Sequence, residues 1–391
     1  MNRIFPFACL LAVVCMCCSP KGDGRSVHVY DAEHRLDYFK ALESEMQLSM
    51  LCDSVESIPL DTAGGFLLEH VTYARFRHGH FFVLDGSEKL YVFDRSGHGR
   101  TCLSRKGQGP NEYLGIRGFD VTDDSLICLL TFPEKLMYFS MDGAFVKETK
   151  LPERGFELSL ISDRTALIYK DNVGSTPVEA CLMLDVMDVP TGNVSSYLPG
   201  YRFLAHRNLP SYQQRRTFEC SGTGECLFVH PLSNLVYAVD GSGVHVKYEL
   251  DFGSGNPPVD LPEVLPSSSS ASDFVSGHFS VYGFNGCWEN TRYFYLQFEE
   301  RGHPRGLLYD KVSDSLYTGG YLNDDLTGCT PCFYSASDEW LAGYWTVDAI
   351  VSLGDYLEMR GMEVPPFFAS LLNKADSVGN PVMCLYYFRE K

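Results

Sequence analysis

The chain has few positive charges and no long apolar run beyond its first residues. Its 391 residues include 32 Lys and Arg against 50 Asp and Glu, which gives a formal net charge of -18. Binding to nucleic-acid phosphates requires clustered cations, so this balance argues against a nucleic-acid partner. After the first 18 residues, no stretch approaches the roughly 18 uninterrupted apolar residues that a transmembrane helix needs.

Motifs of several common enzyme classes are also missing. The sequence contains no Gly-x-Ser-x-Gly nucleophile elbow, no Gly-Lys-Ser/Thr phosphate loop and no aspartate-rich calcium loop. Cys329 and Cys332 have redox or zinc spacing, but no second Cys-x-x-Cys or His pair supplies four ligands. We therefore predict no catalytic residue, no metal site and no cofactor, and whether the chain is an enzyme is left open.

The first residues have the features of a targeting segment. Arg3 precedes an apolar run over 4–16, which is too short to span a bilayer and fits a signal peptide. Two cysteines follow directly, as in bacterial lipoprotein signals, where the cysteine is lipidated and becomes the mature N-terminus. We predict a signal peptide over 1–17 and lipidation of Cys18, with Cys17 as second choice and a plain secretory signal as the alternative. The expected location is the cell envelope, periplasmic or at the cell surface, with the membrane as partner through the lipid.

The remaining cysteines suit an exported chain in two different ways. Most of them lie inside apolar runs, where free thiols pack as small apolar groups. Cys220 and Cys226 flank Ser-Gly-Thr-Gly-Glu, a turn sequence, so for this pair a hairpin disulfide is the alternative to free thiols.

A repeat of short apolar strands and glycine turns runs through the body of the chain. Strand pairs recur with an offset of nine residues, beginning at 81 and 90, at 127 and 136, and at 226 and 235. Turn glycines at 97, 143, 192 and 241 are separated by 46, 49 and 49 residues. A unit of about 48 residues has the length of a propeller blade, whose sheet buries its faces against neighbouring sheets in a ring.

The repeat therefore predicts an all-β fold, a β-propeller of four-stranded antiparallel blades over residues 52–391. Between six and seven units fit this length after removal of a Pro- and Ser-rich insertion at 257–273. Segments 333–345 and 382–388 would form the last blade, and the strand around 55–60 would complete it and close the ring.

Helices are expected at two places outside this pattern. Residues 18–51 should form a tether with an amphipathic helix, because Leu36, Phe39, Leu42 and Met46 recur at helical steps. A shorter helix is expected over 367–374.

Two motifs resemble those of a known family. Lys106-Gly-Gln-Gly-Pro-Asn-Glu-Tyr113 follows a strand ending in Phe-Asp and a glycine turn, and Asn380-Pro381 precedes a last apolar run. Both resemble motifs of the six-bladed β-propeller lipoproteins of Bacteroides and relatives. The resemblance implies six blades, an envelope location and no agreed catalytic activity. Residues 377–379 depart from the family, which tends to carry acidic residues before Asn-Pro.

The loop that carries the first motif is the candidate ligand site. Arg105, Lys106, Gln108, Glu112 and Tyr113 could line a pocket near the axis of the ring. The alternative is structural: the glycines and Pro110 set the turn, Glu112 bonds backbone donors and Tyr113 packs.

Aspartates and tryptophans offer further candidates with structural alternatives. Aspartates recur at strand ends, where turn capping is the first interpretation and a ring of carboxylates for a cation or acid–base chemistry the second. These aspartates are Asp85, Asp94, Asp120, Asp142, Asp240 and Asp310. The three tryptophans are interpreted as packing aromatics, with sugar-stacking platforms as the alternative.

We expect a non-catalytic binding or scaffolding module. Its ligand, a small molecule, glycan or protein, would bind at the mouth of the ring, where loops from several blades converge. The alternative is a propeller hydrolase or lyase acting on a carbohydrate or lactone through axial carboxylates and a metal. Three or more carboxylates or histidines converging at the axis would favour the enzyme.

Overall fold

A computed structural model describes most of the chain beyond the predicted signal peptide. The described residues are 31–170, 182–201, 218–220, 224–240, 243–258, 260–262, 265, 269–329, 331–374 and 379–389. The predicted signal peptide, with Cys17 and Cys18, lies outside these ranges. None of the described helices is both long and apolar enough to cross a membrane.

Short strands are the main secondary structure of the described residues. In chain order they are β1 (His34–Asp37), β2 (Leu42–Glu43), β3 (Cys52–Pro59), β4 (Val71–Arg77), β5 (His80–Asp85), β6 (Leu90–Asp94), β7 (Gly99–Leu103), β8 (Gly115–Val121), β9 (Ile127–Phe132), β10 (Lys135–Phe139), β11 (Phe145–Lys150), β12 (Glu157–Ser162), β13 (Thr165–Tyr169), β14 (Leu182–Asp188), β15 (Asn193–Pro199), β16 (Phe218–Cys220), β17 (Cys226–Val229), β18 (Leu235–Asp240), β19 (Gly243–Asp251), β20 (Val281–Glu289), β21 (Tyr293–Glu300), β22 (His303–Asp310), β23 (Ser315–Gly319), β24 (Cys332–Ala336), β25 (Trp340–Trp345) and β26 (Val382–Phe388). The α-helices are α1 (Ala271–His278), α2 (Val347–Arg360) and α3 (Pro366–Lys374).

These strands form six blades arranged in a ring. Blades 1 to 5 are the sheets β4–β7, β8–β11, β12–β15, β16–β19 and β20–β23, and blade 6 has the order β24-β25-β26-β3. The first strand of each blade contacts the first strand of the next, and β24 of blade 6 contacts β4 of blade 1. The predicted six-bladed propeller is thus confirmed.

Blade 6 joins the two ends of the ring. Strand β3 pairs antiparallel with β26, from Cys52 opposite Phe388 to Pro59 opposite Val382. The predicted closing strand is therefore correct. Opening the ring at this point would expose apolar sheet faces on both sides, which opposes unravelling.

Each interface between blades holds its own apolar cluster. Phe82 and Phe119 pack between blades 1 and 2, and Tyr248 stacks on Phe294 between blades 4 and 5 with ring centroids 4.0 Å apart. Gly118 allows the first strands of blades 2 and 3 to approach, because a Cβ there would lie 3.3 Å from the backbone nitrogen of Leu158. The core is therefore a circle of inter-blade contacts, as a propeller requires.

The repeat in the sequence corresponds to one part of each blade. The nine-residue offset joins the second and third strands of blades 1, 2 and 4. The turn glycines follow the third strands, and Gly97, Gly143 and Gly192 have left-handed φ angles of 85°, 83° and 73°. Glycine takes this conformation without steric strain, which explains the regular spacing. Gly241 lies outside the described residues.

The N-terminal segment, residues 32–51, corrects the expectation of an amphipathic helix. It contains β1, β2 and two single-turn 3-10 helices, Tyr38–Lys40 and Leu48–Met50. Strand β1 adds in parallel to β19 of blade 4, and β2 adds in parallel to β23 of blade 5. Leu36 is buried, but Phe39 is 72% exposed and Leu42 59% exposed, so the apolar residues share no buried face. The open edges of the two blades offer partners for backbone hydrogen bonds. Pairing with these edges is favoured over the helix that the spacing of the apolar residues predicted.

The other predicted features lie where they were expected. Helix α3 confirms the helix predicted over 367–374, whereas α2 and α1 were not predicted. The insertion at 257–273 lies between β19 and β20, and its described part ends in α1. Helices α2 and α3 both lie in the connection between β25 and β26.

The two faces of the ring differ in the length of their connections. On one face, here the turn face, every connection that the structure describes in full is a tight turn, and the longest of these are 122–126 and 140–144. On the other, here the loop face, lie the connections between blades and the long insertions. Their described parts include 60–70, 104–114, 151–156, 252–258, 320–329 and 346–374.

Candidate functional site

The predicted ligand loop on the loop face is closed by one of its own carboxylates. The Gly109 amide donates to Glu112 Oε2 at 2.6 Å, and the Gly107 amide donates to the carbonyl of Tyr113 at 2.9 Å. A Cβ at Gly107 would lie 2.1 Å from Glu112 Oε2. The glycines therefore leave the space that the Glu112 carboxylate occupies.

The other predicted residues of this loop do not converge on a pocket. Tyr113 is fully buried; its hydroxyl accepts from the Arg105 amide at 3.1 Å, and burial raises the pKa of Tyr113. Arg105 Nη2 donates to the carbonyl of Gly143 at 3.1 Å, and Lys106 forms an ion pair with Glu88. Gln108 is exposed. This geometry favours the structural alternative, and a ligand-binding role of the five residues stays a prediction.

Most of the strand-end aspartates cap turns. Asp85 accepts from the amides of Ser87 and Lys89, both at 3.0 Å. Asp310 accepts from the Val312 amide at 3.0 Å and forms an ion pair with Arg292. Turn capping is confirmed at these positions.

Asp120 is different and corrects the interpretation as a turn cap. It is fully buried on β8, where its carboxylate lies 3.2 Å from Arg75 Nε of β4. The same carboxylate accepts from Ser159 Oγ at 3.3 Å and from the Leu160 amide at 2.8 Å, both on β12. One buried ion pair thus joins the first strands of three consecutive blades. Nothing in the local sequence distinguishes Asp120 from the turn caps.

The described residues contain no group of three or more His, Cys, Asp or Glu that could hold a metal ion. The buried carboxylates instead have protein donors. Glu289 forms ion pairs with Lys247 and Lys311 at 2.8 and 2.9 Å, and Asp120 is held by Arg75.

Asp324 is a third buried carboxyl, in the connection between blades 5 and 6. Its Oδ2 accepts from Tyr386 Oη at 2.5 Å, and its Oδ1 accepts from the Thr327 amide at 3.0 Å. Burial raises the pKa of Asp324. The neighbouring Asp325 accepts from the Ser49 amide at 2.9 Å, so this acidic turn fixes the N-terminal segment.

The described cysteines include buried free thiols and one disulfide-bonded residue. The buried free thiols are Cys52, Cys128, Cys287, Cys329 and Cys384. Burial raises the pKa of Cys52 and of Cys128 to about 12, which suits unreactive packing groups. Cys332 is also a free thiol, so Cys329 and Cys332 are not joined to each other. Cys226 is disulfide-bonded, and the strand register places Cys220 directly opposite it, as the predicted hairpin disulfide requires.

The tryptophans take part in packing. Trp288 is buried and stacks on Tyr295 with ring centroids 5.4 Å apart, and Trp345 is 1% exposed. Trp340 packs edge-on against Phe76 at 5.1 Å. These contacts favour packing over sugar stacking.

A groove between α2 and α3 lies on the loop face. Its volume is about 560 Å³. The lining residues are Val351, Gly354, Asp355, Glu358, Gly361, Met362, Val364 and Leu372. The sequence carried a signal for α2 that was missed: apolar residues at 347, 350, 353 and 357 between an N-cap threonine and a C-terminal glycine.

The fold and the loop face define a six-bladed β-propeller with one elaborated face. The chain belongs to the family of the domain of unknown function DUF4934, whose model matches residues 35–387. The match includes most of the N-terminal segment as well as the ring.

A solved structure supports the fold. The chain is similar to a Bacteroides fragilis protein named as a candidate exported protein, with 19% identity and a TM-score of 0.69 over 91% of this chain and 99% of that chain. It is also similar to an inactive virginiamycin B lyase from Staphylococcus aureus with quinupristin, with 10% identity and a TM-score of 0.41 over 84% of this chain and 82% of that chain. This second likeness is too weak to bear on function. No curated protein matches the chain.

Proposed function

We propose that the chain is a binding or scaffolding propeller of the bacterial cell envelope, held to the membrane by a lipid on Cys18. Its partner or ligand would bind at the loop face. The observation that carries this proposal is the asymmetry of the ring. Every described turn-face connection is minimal, whereas the inserted helices and the inter-blade loops lie on the loop face. Long ordered loops on a rigid scaffold are typical of binding surfaces.

Two further observations support a non-catalytic role and an envelope location. Three buried carboxyl groups are each bound by donors of the protein itself, which supports a structural role for them. They are Asp120, Glu289 and Asp324. The fold is shared with a protein named as a candidate exported protein, and the N-terminal sequence has a lipoprotein pattern.

The anchor is tested by metabolic labelling of the full chain with an alkyne fatty acid. We expect label on the wild-type protein and on Cys17→Ser, and none on Cys18→Ser. Cys18→Ser should also leave the membrane fraction. Label that persists in Cys18→Ser but is lost in Cys17→Ser would move the anchor to the second choice. An unlabelled wild-type protein would contradict lipid anchoring.

Binding is tested by thermal shift of the full chain in detergent against glycans, peptidoglycan fragments and divalent metals. We expect at least one glycan or peptidoglycan fragment to raise the melting temperature and to be recovered intact by mass spectrometry. Recovery of a cleaved or eliminated product would instead show the alternative hydrolase or lyase.

A further inference from the structure

The groove between α2 and α3 is formed by a helical hairpin firmly fixed to blade 6. Thr346 caps α2, since its hydroxyl accepts from the Ala349 amide at 3.2 Å. Ile350 and Leu371 are fully buried in the cluster shared by blades 5 and 6, and Lys374 Nζ donates to Ser57 Oγ of β3 at 2.9 Å. The groove is therefore a preformed feature on a rigid support.

The outer side of this hairpin leaves large apolar side chains in contact with solvent. Met359 is 78% exposed and Met362 is 53% exposed, while Tyr356 and Val351 are exposed to 46% and 37%. Met362 and Val351 also line the groove. Clustered exposed apolar side chains of this kind mark interaction surfaces, and methionine adapts its shape to different partners.

The charge of the groove has one sign. Asp355 and Glu358 line it, and within the described residues neither side-chain carboxylate forms a hydrogen bond or ion pair. The two basic residues of the hairpin do not line it, since Arg360 lies over the Tyr356 ring at 5.5 Å and Lys374 is directed to Ser57. An apolar groove with unneutralised carboxylates is complementary to an apolar group flanked by cations.

We propose that this groove binds a partner protein through a cationic amphipathic segment, with an apolar anchor beside Met362 and Leu372 and Lys or Arg beside Asp355 and Glu358. The proposal rests on the proposed binding function and specifies the partner for the loop face. A protein partner is favoured over an anionic lipid surface because the carboxylates would be repelled by the lipid headgroups.

Gly354 provides a variant that fills the groove without removing a contact. A Cβ there would lie 2.9 Å from Leu372 Cδ2, the flexible end of a side chain. Gly354→Met therefore places atoms in the groove, and methionine is a better helix former than glycine. An unchanged melting temperature shows that the variant is folded.

A charge-matched control separates the groove from the general acidity of the chain. Asp355→Asn with Glu358→Gln removes two charges at the groove. Asp123→Asn with Glu339→Gln removes the same two charges by the same substitutions from exposed turns on the turn face.

The probes are a fluorescein-labelled amphipathic Leu/Lys peptide and a Leu/Glu peptide of the same length, titrated with the full chain in detergent by fluorescence anisotropy. We expect the Leu/Lys peptide alone to bind, with a Kd about five- to tenfold higher for the double charge variant and at least about tenfold higher for Gly354→Met. The turn-face control should bind as the wild type does.

Equal binding to all four proteins, no binding of the Leu/Lys peptide, or equal binding of the Leu/Glu peptide would overturn the inference. Groove-dependent binding to vesicles containing phosphatidylglycerol, tested with the same variants, would overturn the choice of a protein partner. The thermal-shift screen is independent of these results. A glycan or peptidoglycan fragment that stabilises the chain would therefore still support the proposed function.

Discussion

Replacing Asp120 with alanine tests whether the buried ion pair holds blades 1 to 3 together. The side chains of Asp120 and Arg75 are 0% and 4% exposed. Removing one partner of a buried pair leaves the other charge without compensation, which costs about 3–5 kcal/mol. The Leu160 amide would also lose its acceptor at 2.8 Å. The expected loss is a large fraction of the roughly 5–15 kcal/mol by which a native domain is stable.

The assay is urea denaturation followed by intrinsic fluorescence, with Asp142→Ala as the control. Asp142 caps an exposed turn through Ser140 and Ala144, so its loss should leave the unfolding midpoint close to that of the wild type. Asp120→Asn keeps the shape of the side chain but removes its charge. Its unfolding midpoint should lie between that of Asp120→Ala and that of Asp142→Ala. Replacing Arg75 and Asp120 together by apolar residues should recover part of the loss. If Asp120→Ala lowered the unfolding free energy by less than about 1 kcal/mol, the pair would not be a main tie between the blades.

Three further predictions concern other contacts. Burial raises the pKa of Asp324 in the folded protein above its usual 3.8. The neutral carboxyl therefore stabilises the folded state fully below pH 3.8, and this stabilisation is lost as the pH rises through the folded pKa. Wild-type stability relative to Asp324→Asn should therefore decrease with rising pH in urea denaturation, and a constant difference would contradict the raised pKa. Tyr113→Phe removes the acceptor of the Arg105 amide and should cost about 1 kcal/mol by the same assay, whereas no loss would favour a role in ligand binding. Arg305 holds the N-terminal segment through Glu43 and the Tyr38 hydroxyl, so Arg305→Ala should speed proteolysis within residues 32–51. Arg292→Ala breaks an ion pair within blade 5 and should leave that cleavage rate unchanged.

The ring could be predicted because every blade must bury both faces of its sheet. A sheet that must bury both faces needs apolar second and third strands and a tight turn after the third. These requirements are visible in the local sequence. They appear as the offset of nine residues between strands and as the glycines at 97, 143 and 192. The closing strand followed because one sheet would otherwise have been incomplete.

Other features could not be predicted because they depend on contacts distant in sequence. Leu36 and Met46 fit a helical spacing, yet each is buried against a different part of the ring. Asp120 looks like the other strand-end aspartates until the fold brings Arg75 and Ser159 beside it. The loop at 105–113 was the candidate ligand site because it carries the motif that resembles the propeller lipoproteins, and the residues of that motif close the loop itself.

The N-terminal segment gives the ring more than a closing strand. Strands β1, β2 and β3 pair in turn with the outer strands of blades 4 and 5 and with β26 of blade 6. Three consecutive blades therefore share one continuous stretch of chain, and separating any of them requires part of that stretch to be released. On the proposed lipid anchor, a pull from the membrane would reach β1 first and would have to break its pairing with β19 before it loaded β3. The same pairing covers part of the open edges of β19 and β23, at 248–251 and 317–318, which leaves less edge available for edge-to-edge aggregation. This arrangement explains why residues 32–51 do not form one continuous helix, since such a helix could not pair with the blade edges.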